Sequence, residues 1–293
     1  MISRSDVEQA AAILRRGGLV AFPTETVYGL GANALDPSAV RVIFEAKGRP
    51  LTSPLIVHVA NVKAAQALSR EWPDAAELLA RAFWPGPLTI VVPKQPVVPD
   101  LVTAGLDSVA LRIPSHPVAL ELLEAAGIPL AAPSANRFTQ LSPTTAQHVR
   151  EGLGERVEMI LDGGPCSVGI ESTVVSFAGG SPRILRPGMI SRTEIEEVIG
   201  PVESGAGPES PGQHRVHYSP RTRLVLGRAP VEGRGIVLDL QTQSHGPAEW
   251  GAQLYAKLHD LDHAGYDWIA VQLPPDTPEW AGVRDRLMRA ARG

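Results

Sequence analysis

The chain has 293 residues, of which 44% are hydrophobic and 20% are charged, and these values predict two domains or one large one. They exclude a disordered chain, a coiled coil and a disulfide-rich miniprotein, and the net charge of −4 excludes a strong overall attraction to nucleic acid or anionic lipid. The N-terminus lacks an apolar signal segment, and apolar runs such as 55–60 are far below the roughly 18 residues of a membrane helix. We therefore expect a cytoplasmic protein with no membrane partner.

Strands and helices are predicted in mixed order over the first 200 residues. Ser5 and Glu8 have the spacing of a capping box, which predicts the start of a helix over 5–16. Because strands and helices do not alternate strictly, we expect an α/β or α+β fold with a twisted, mixed sheet and flanking helices. The predicted strands are 19–22, 54–59, 86–92, 108–113, 128–132, 157–161 and 172–177, and the further helices are 37–47, 61–70, 73–83, 116–126, 143–152 and 192–199.

A linker and a second, smaller domain are predicted after residue 200. The stretch 200–213 has four Gly, three Pro and no large apolar side chain, a composition typical of a linker. Beyond it we predict strands over 223–226, 235–240 and 268–273 and helices over 248–262 and 279–291. The resulting division is a first domain at 1–200, a linker at 201–220 and a small C-terminal α/β domain at 221–293.

Several familiar chemical motifs are absent or incomplete. The sequence has neither a GxxxxGK[ST] phosphate loop nor a GxSxG elbow, and the partial glycine pattern after residue 28 favours a turn over a dinucleotide site. His259 and His263 have helical i,i+4 spacing but no third ligand nearby, so we predict no metal site there. The single cysteine, Cys166, has no disulfide partner and is predicted to be a buried structural thiol.

Small polar and cationic residues follow several of the predicted strands. Arg112 lies in a strand otherwise made of apolar residues, where a cation is costly unless it is paired, and its forked guanidinium suits a carboxylate or a phosphate. Lys47 and Arg49 follow a helix and are equally compatible with a structural role at its C-terminus. His58 ends a strand, where a structural role is the commoner one. Together these residues predict a site for a polyanion and a small carboxylate.

The motifs resemble those of a known family. PTETVYGLG (23–31), KGRPLTSPLIVH (47–58), FWPGPLT (83–89), VALRIPSH, AAPSAN, DGG, ESTVV and LRPG follow the order found in the YrdC-like family, over about residues 1–200. Pro211-Gly212 and the HYSP segment 217–220 resemble the linker of that family's two-domain threonylcarbamoyl-AMP synthases. Residues 254–272 and 284–291 are similar to their C-terminal domain.

The resemblance implies an activity, a cofactor and partners. Members of the family make threonylcarbamoyl-AMP from L-threonine, bicarbonate or CO2, and ATP with Mg2+, and they release pyrophosphate. The product implies a downstream tRNA threonylcarbamoyl-transferase complex as a partner. With few Lys and a negative net charge, we expect weak or no direct tRNA binding.

The resemblance also implies the site residues. Lys47, Arg49 and Arg112 are implied to be catalytic, no protein metal ligand is implied, and Tyr218 is implied to close over the nucleotide as part of a lid. The implied L-threonine site consists of Thr26, His58, Arg112, Ala132 (through its main chain) and Ser172. The implied ATP site consists of Lys47, Arg49, Ser53, Ser108, Ser134, Ser142, Arg186 and Tyr218.

Two alternative functions remain open at this point. An O-carbamoyltransferase has the same fold, but such enzymes carry cysteine-rich zinc modules, which a chain with one cysteine lacks. A module that binds double-stranded RNA or tRNA without chemistry is disfavoured by the net charge of −4.

Overall fold

The structure is a computed structural model that describes residues 2–205, 207–209, 218–238 and 246–292. The linker predicted over 200–213 and the end of the strand predicted over 235–240 lie partly outside the described residues. Pro211, Gly212 and His217 of the linker motif lie outside them as well.

Within the described residues, ten strands form one mixed sheet. These strands are β1 (Val20–Phe22), β2 (Gly29–Asn33), β3 (Ile56–His58), β4 (Leu88–Pro93), β5 (Ser108–Arg112), β6 (Leu130–Ala131), β7 (Met159–Ile160), β8 (Thr173–Ser176), β9 (Arg183–Arg186) and β10 (Glu203–Ser204). Across the sheet their order is β10-β9-β8-β4-β5-β3-β6-β2-β1-β7. The accompanying helices are α1 (Arg4–Arg15), α2 (Pro37–Lys47), α3 (Val62–Leu68), α4 (Asp74–Phe83), α5 (Asp100–Thr103), α6 (Pro117–Ala126), α7 (Ala146–Leu153) and α8 (Arg192–Ile199).

A second, parallel sheet lies in the C-terminal part of the chain. Its strands are β11 (Arg223–Leu226), β12 (Gly235–Leu238) and β13 (Trp268–Val271), in the order β11-β13-β12. The helices α9 (Pro247–His263) and α10 (Ala281–Ala290) pack beside it, and we call β11–β13 with α9 and α10 the C-terminal unit. The mixed α/β fold with a small second α/β part is confirmed. No helix among the described residues is long and apolar enough to cross a membrane.

The first helix starts earlier than the sequence pattern predicted. The capping box is formed by Ser3 and Asp6, because the Ser3 hydroxyl accepts from Asp6 N at 3.2 Å and the Asp6 carboxylate accepts from Ser3 N at 2.8 Å. The box predicted at Ser5 and Glu8 was therefore wrong by two residues at its start. With the helix starting at Arg4, its buried apolar side chains pack against α6.

Several elements were missed in the sequence, and β2 shows why. Its sequence GLGAN is poor in β-forming residues, yet its first three residues pair with β1 and its last two pair with β6. A Cβ on Gly31 would lie 2.8 Å from the Phe22 ring, so glycine there admits the aromatic side chain of the neighbouring strand. The short elements α5, β9 and β10 were missed as well.

The two sheets are joined by a shared apolar core and by close backbone contacts. Val27, Leu141 and Ile170 of the N-terminal part belong to the same buried cluster as Trp250 and Leu254 of α9. Backbone approaches are closest at two glycines, since a Cβ on Gly282 would lie 2.5 Å from Gly188 O and one on Gly169 would lie 2.3 Å from Gly251 O. The C-terminal unit therefore packs tightly against the segments around β8 and β9.

This packing predicts that Gly282→Ala destabilises the protein. The added methyl group forces α10 away from Gly188, and overpacking of this kind costs about 1–3 kcal/mol. We expect a lower midpoint in thermal or urea unfolding. Gly152→Ala is the matched control, because Gly152 also lies in a helix but its Cβ would meet no atom closer than 4.0 Å. A midpoint equal to that of the control would contradict the close approach.

Candidate functional site

A cleft lies at the ends of β3 and β5, beside the loop that precedes β8. The loops after β1 and β6 supply further walls. The structure brings most of the predicted site residues together in its lining, namely Thr26, Arg49, His58, Arg112, Ala132, Ser134, Ser172, Arg186 and Tyr218.

Three further predicted residues lie directly behind this lining. Lys47 Nζ donates to the carbonyl of Ser134, a lining residue. The Ser53 hydroxyl accepts from Arg49 Nη2 at 2.6 Å, and the Ser142 hydroxyl donates to Glu171 at 2.5 Å. These residues hold the wall of the cleft in place.

Ser108 is the predicted residue that the structure does not bring to the cleft. It opens β5, where it pairs with Pro93, whereas Arg112 closes the same strand. At roughly 3.3 Å per residue the two Cα atoms are about 13 Å apart. A contact between Ser108 and a ligand in this cleft stays a prediction from the resemblance.

Arg112 is paired with a carboxylate that sequence analysis missed. Its Nη2 donates to Glu25 Oε1 at 2.7 Å, and the second oxygen of Glu25 accepts from Ser115 N at 3.0 Å. Arg112 Nε donates to Gly86 O at 3.3 Å. Both members of the pair are at most 5% exposed, so the guanidinium is fixed in place and desolvated. The acidic residue inside PTETVYGLG was the available signal in the sequence.

His58 lies beside Arg112 because the two residues are register partners in the parallel pair of β3 and β5. Burial, followed by the charge of Arg112, lowers the pKa of His58 to about 3, so the imidazole is neutral. Its Nδ1 is buried and has no hydrogen-bond partner among the described residues. A buried polar atom without a partner is costly, and the His58 side chain lines a cleft that a ligand can fill.

Lys47 and Arg49 are directed into the site by the end of α2. Gly48 adopts a left-handed conformation with φ of 64° and turns the chain between them. Lys47 Nζ donates to Asn136 O at 2.5 Å, and burial, then the nearby Arg49, holds the pKa of Lys47 well below its usual range. Burial also lowers the pKa of Arg49 to about 10, and its buried Nε has no partner among the described residues.

Arg186 and Ser172 form one connected hydrogen-bond group. Arg186 Nε and Nη2 donate to Ser172 O at 3.1 and 3.0 Å, and Nη2 also reaches the Ser172 hydroxyl at 3.1 Å. The hydroxyls of Ser172 and Thr89 are 2.7 Å apart. Arg186, a cation of the predicted ATP site, is therefore hydrogen-bonded directly to Ser172, a residue of the predicted threonine site.

Tyr218 lines the cleft and packs against the C-terminal unit. It is 1% exposed, has a φ of 65°, and packs on the ring of Tyr255 with ring centres 6.0 Å apart. Below it, Glu171 is the carboxylate of the lining, and sequence analysis missed it. Its side chain accepts hydrogen bonds from Ser142, Tyr255 and Arg286.

The residues set aside in the sequence do not line this cleft, although His259 lies 3.2 Å from Ser142 O behind the wall. The rings of His259 and His148 are stacked with centres 3.9 Å apart, and His263 lies 4.0 Å from Glu151. No group of three metal-binding side chains occurs in the part of the chain that the structure describes. Cys166 is buried as predicted, and burial raises the pKa of its thiol to about 12.

Two family models match the chain. One, described as "Telomere recombination" and covering the Sua5, YciO and YrdC proteins, matches residues 12–188. The other, described as "Threonylcarbamoyl-AMP synthase, C-terminal domain", matches residues 190–292.

Curated proteins and solved structures agree with these matches. The threonylcarbamoyl-AMP synthase of Bacillus subtilis is 41% identical, over 98% of this chain and 93% of its own. That of Pyrococcus abyssi is 49% identical, over 75% of this chain and 67% of its own. The crystal structure of the P. abyssi protein Sua5 complexed with L-threonine superposes with a TM-score of 0.93 at 38% identity, covering 99% of this chain and 95% of that one.

The buried imidazole predicts a loss of stability in acid. Unfolded, His58 takes up a proton near its ordinary pKa of 6.5, whereas folded it does so only near 3. Between these values the unfolded state binds the extra proton, so the free energy of unfolding falls by about 1.4 kcal/mol per pH unit from this group. In His58→Gln, the free energy of unfolding should fall less steeply between pH 6 and 4.5, because nearly one fewer proton is taken up on unfolding.

Urea unfolding at several pH values measures this slope. His263→Gln serves as the control, because the His263 side chain is 50% exposed and its replacement should leave the slope unchanged. An unchanged slope in His58→Gln would contradict a neutral, buried imidazole.

Proposed function

The chain belongs to the family of threonylcarbamoyl-AMP synthases, and we propose that it makes threonylcarbamoyl-AMP and pyrophosphate from L-threonine, bicarbonate or CO2, and ATP. The observation that carries the proposal is the cleft, where the fixed guanidinium of Arg112 and the neutral His58 lie together with the cations Arg49 and Arg186. The match of residues 190–292 to the synthase C-terminal domain favours this function over a carbamoyltransferase or an RNA-binding module.

Arg112 binds the carboxylate of L-threonine in this proposal. Its Nη2 donates to the Glu25 carboxylate and its Nε donates to Gly86 O, so the guanidinium is oriented before the amino acid binds. A preoriented fork in a desolvated site forms strong charge-assisted hydrogen bonds with a carboxylate.

The neighbouring polar groups select threonine. His58 Nδ1 lacks a partner, and the hydroxyls of Thr24 and Thr26 lie 2.8 Å from each other in the same lining. These groups pair with the amino acid's hydroxyl. A site of this kind can reject an analogue without the hydroxyl by roughly 10⁴-fold or more, whereas it discriminates less against serine, which keeps the hydroxyl.

The cationic side chains hold the nucleotide. Arg49 and Arg186 line the cleft, and Lys47 lies directly behind Ser134. Their lowered pKa values reflect burial without enough negative charge around them, which the phosphates of ATP supply. The Ser134 hydroxyl and the ring of Tyr218 complete the site, with Tyr218 as part of the lid over the nucleotide.

The chemistry needs positioning more than a strong base. The threonine amine adds to CO2 and loses a proton to solvent or bicarbonate, which gives a carbamate. A carbamate oxygen then bonds to the α-phosphorus of ATP while the bond to pyrophosphate breaks. Lys47, Arg49 and Arg186 stabilise the charge that grows on the leaving pyrophosphate, and the closed cleft protects the unstable carbamate from water.

Mg2+ accompanies ATP in this proposal. Glu171, the carboxylate of the lining, already accepts hydrogen bonds from Ser142, Tyr255 and Arg286. This carboxylate is therefore not free to hold Mg2+, and the ion would be held through the phosphates of ATP. When bound, Mg2+ would neutralise part of the phosphate charge, and Lys47, Arg49 and Arg186 supply the positive charge that comes from the protein.

The wider assignments are also part of the proposal. Residues 1–200 form the catalytic domain, 201–220 the linker and lid, and 221–293 the small C-terminal domain. The product passes to a downstream tRNA threonylcarbamoyl-transferase complex, and the chain itself binds tRNA weakly or not at all, consistent with its net charge of −4.

The direct test is pyrophosphate release by the purified chain with ATP, Mg2+ and bicarbonate. We expect release that requires both L-threonine and bicarbonate, falls with serine and nearly vanishes with alanine, because alanine leaves the hydroxyl-binding groups unpaired. ATP breakdown that is indifferent to L-threonine would contradict the proposal.

Arg112→Ala should lower kcat/KM for L-threonine by about 10²–10³-fold, because the carboxylate loses its clamp and Glu25 is left buried without its cation. Arg112→Lys, which keeps the charge but not the fork, should fall between the parent and the alanine variant. The same pyrophosphate assay measures both, with Arg150→Ala as a control from an exposed ion pair. Near-normal activity of Arg112→Ala would refute the role.

A further inference from the structure

Glu171 lies in the wall of a cleft that otherwise collects cations. It directly precedes Ser172, lines the cleft and is 7% exposed. Although burial opposes ionisation, the charges of Arg286 and Arg186 hold its pKa below the usual range, so the side chain is a carboxylate at neutral pH. A negative charge at this position repels a triphosphate unless a cation neutralises it.

The neutralising cation comes from the C-terminal unit. Arg286 of α10 donates from Nε to Glu171 Oε2 at 2.6 Å and from Nη2 to Glu171 O at 3.2 Å. Tyr255 of α9 donates to the same carboxylate at 3.1 Å. Two of the three side chains that hold Glu171 therefore belong to the C-terminal unit.

The Arg286 guanidinium is itself buried and held in place by hydrogen bonds. It is 1% exposed, and Nη1 donates to Pro187 O at 3.1 Å and to Asp285 at 2.6 Å. Its charged carbon lies 5.3 Å from the centre of the Tyr218 ring, within the range of a cation–π contact. One side chain thus contacts both Glu171 and Tyr218, two residues that line the cleft.

From this geometry we propose that Arg286 is a positioning residue for nucleotide binding. It neutralises Glu171 and seats Tyr218, so that Arg49 and Arg186 face the triphosphate without a competing carboxylate. This inference rests on the nucleotide site proposed above, and it gives the C-terminal unit a defined part in that site.

The proposal separates ATP binding from threonine binding. Glu171 and Tyr218 lie among the phosphate-binding cations, whereas the amino-acid carboxylate is held by Arg112 and its own partner, Glu25. Loss of Arg286 should therefore weaken MgATP binding selectively. General loosening of the fold would weaken both ligands together.

The test is calorimetric binding of MgATP and of L-threonine to the full chain, with circular dichroism as the check of folding. For Arg286→Met we expect the Kd of MgATP to rise at least tenfold while the Kd of L-threonine stays within threefold. Arg284→Met is the matched control, because Arg284 lies two positions earlier on the same helix and pairs with the exposed Asp276 at 3.2 Å instead of with Glu171. Both of its Kd values should stay within threefold of the parent.

A charge rescue distinguishes neutralisation from packing. In the double variant Glu171→Gln with Arg286→Met, the uncompensated charge is gone, and MgATP affinity should recover at least threefold over Arg286→Met. Parent-like MgATP binding by Arg286→Met, or no recovery in the double variant, would overturn the proposal. If Arg286→Met does not fold, the double variant must fold and bind MgATP, and its failure to do either overturns the proposal. A parent chain that binds L-threonine but not MgATP would instead overturn the proposed function together with this inference.

Discussion

Four cationic side chains are buried in one cleft or directly behind its lining, and the compensation of their charge is the constraint on which the rest of the structure depends. Lys47, Arg49, Arg112 and Arg186 are each at most 7% exposed in a chain whose net charge is −4. Removing such a group from water costs several kcal/mol, so each needs partners that the fold must supply. Arg112 has a full carboxylate partner, whereas Lys47 has mainly backbone carbonyls. The protein alone leaves the site short of negative charge, which an anionic substrate provides.

This demand explains why the site is built from loops at the ends of strands. Backbone carbonyls inside a sheet are already used by the neighbouring strands, and only the segments between strands have carbonyls to offer a cation. Ser134 and Asn136 do this for Lys47, and Gly86 does it for Arg112. The parallel pairing of β3 and β5 then fixes His58 next to Arg112. The strands therefore set the positions of the site residues, and the loops supply the carbonyl groups that accept hydrogen bonds from the cations.

The sequence predicted the elements with strong local signals and missed those that depend on distant partners. Helices such as α2, with its capping Asp36 and N-terminal Pro37, follow from local chemistry. Strand β2 does not, because its glycines make sense only against the Phe22 ring of the neighbouring strand.

The same reasoning applies to the residues of the site. Arg112 was identifiable as a cation in need of a partner, but which carboxylate would reach it depends on the fold. Glu171 was missed because its meaning comes from Arg286, 115 residues away in the chain.

The pairing of Glu171 with Arg286 also ties the packing of the C-terminal unit to the charge of the cleft. If docking of α10 lowers the repulsion that a triphosphate meets, then a bound triphosphate strengthens the docking by the same free energy, since linkage between two equilibria is reciprocal. The apolar part of the contact, with Val27 and Ile170 beside Trp250, has no dependence of that kind on charge. The interface therefore combines a constant hydrophobic term with a ligand-dependent electrostatic term. An apolar side chain at the position of Arg286 would pack at a lower desolvation cost. The ligand-dependent electrostatic term explains why an arginine is buried there instead.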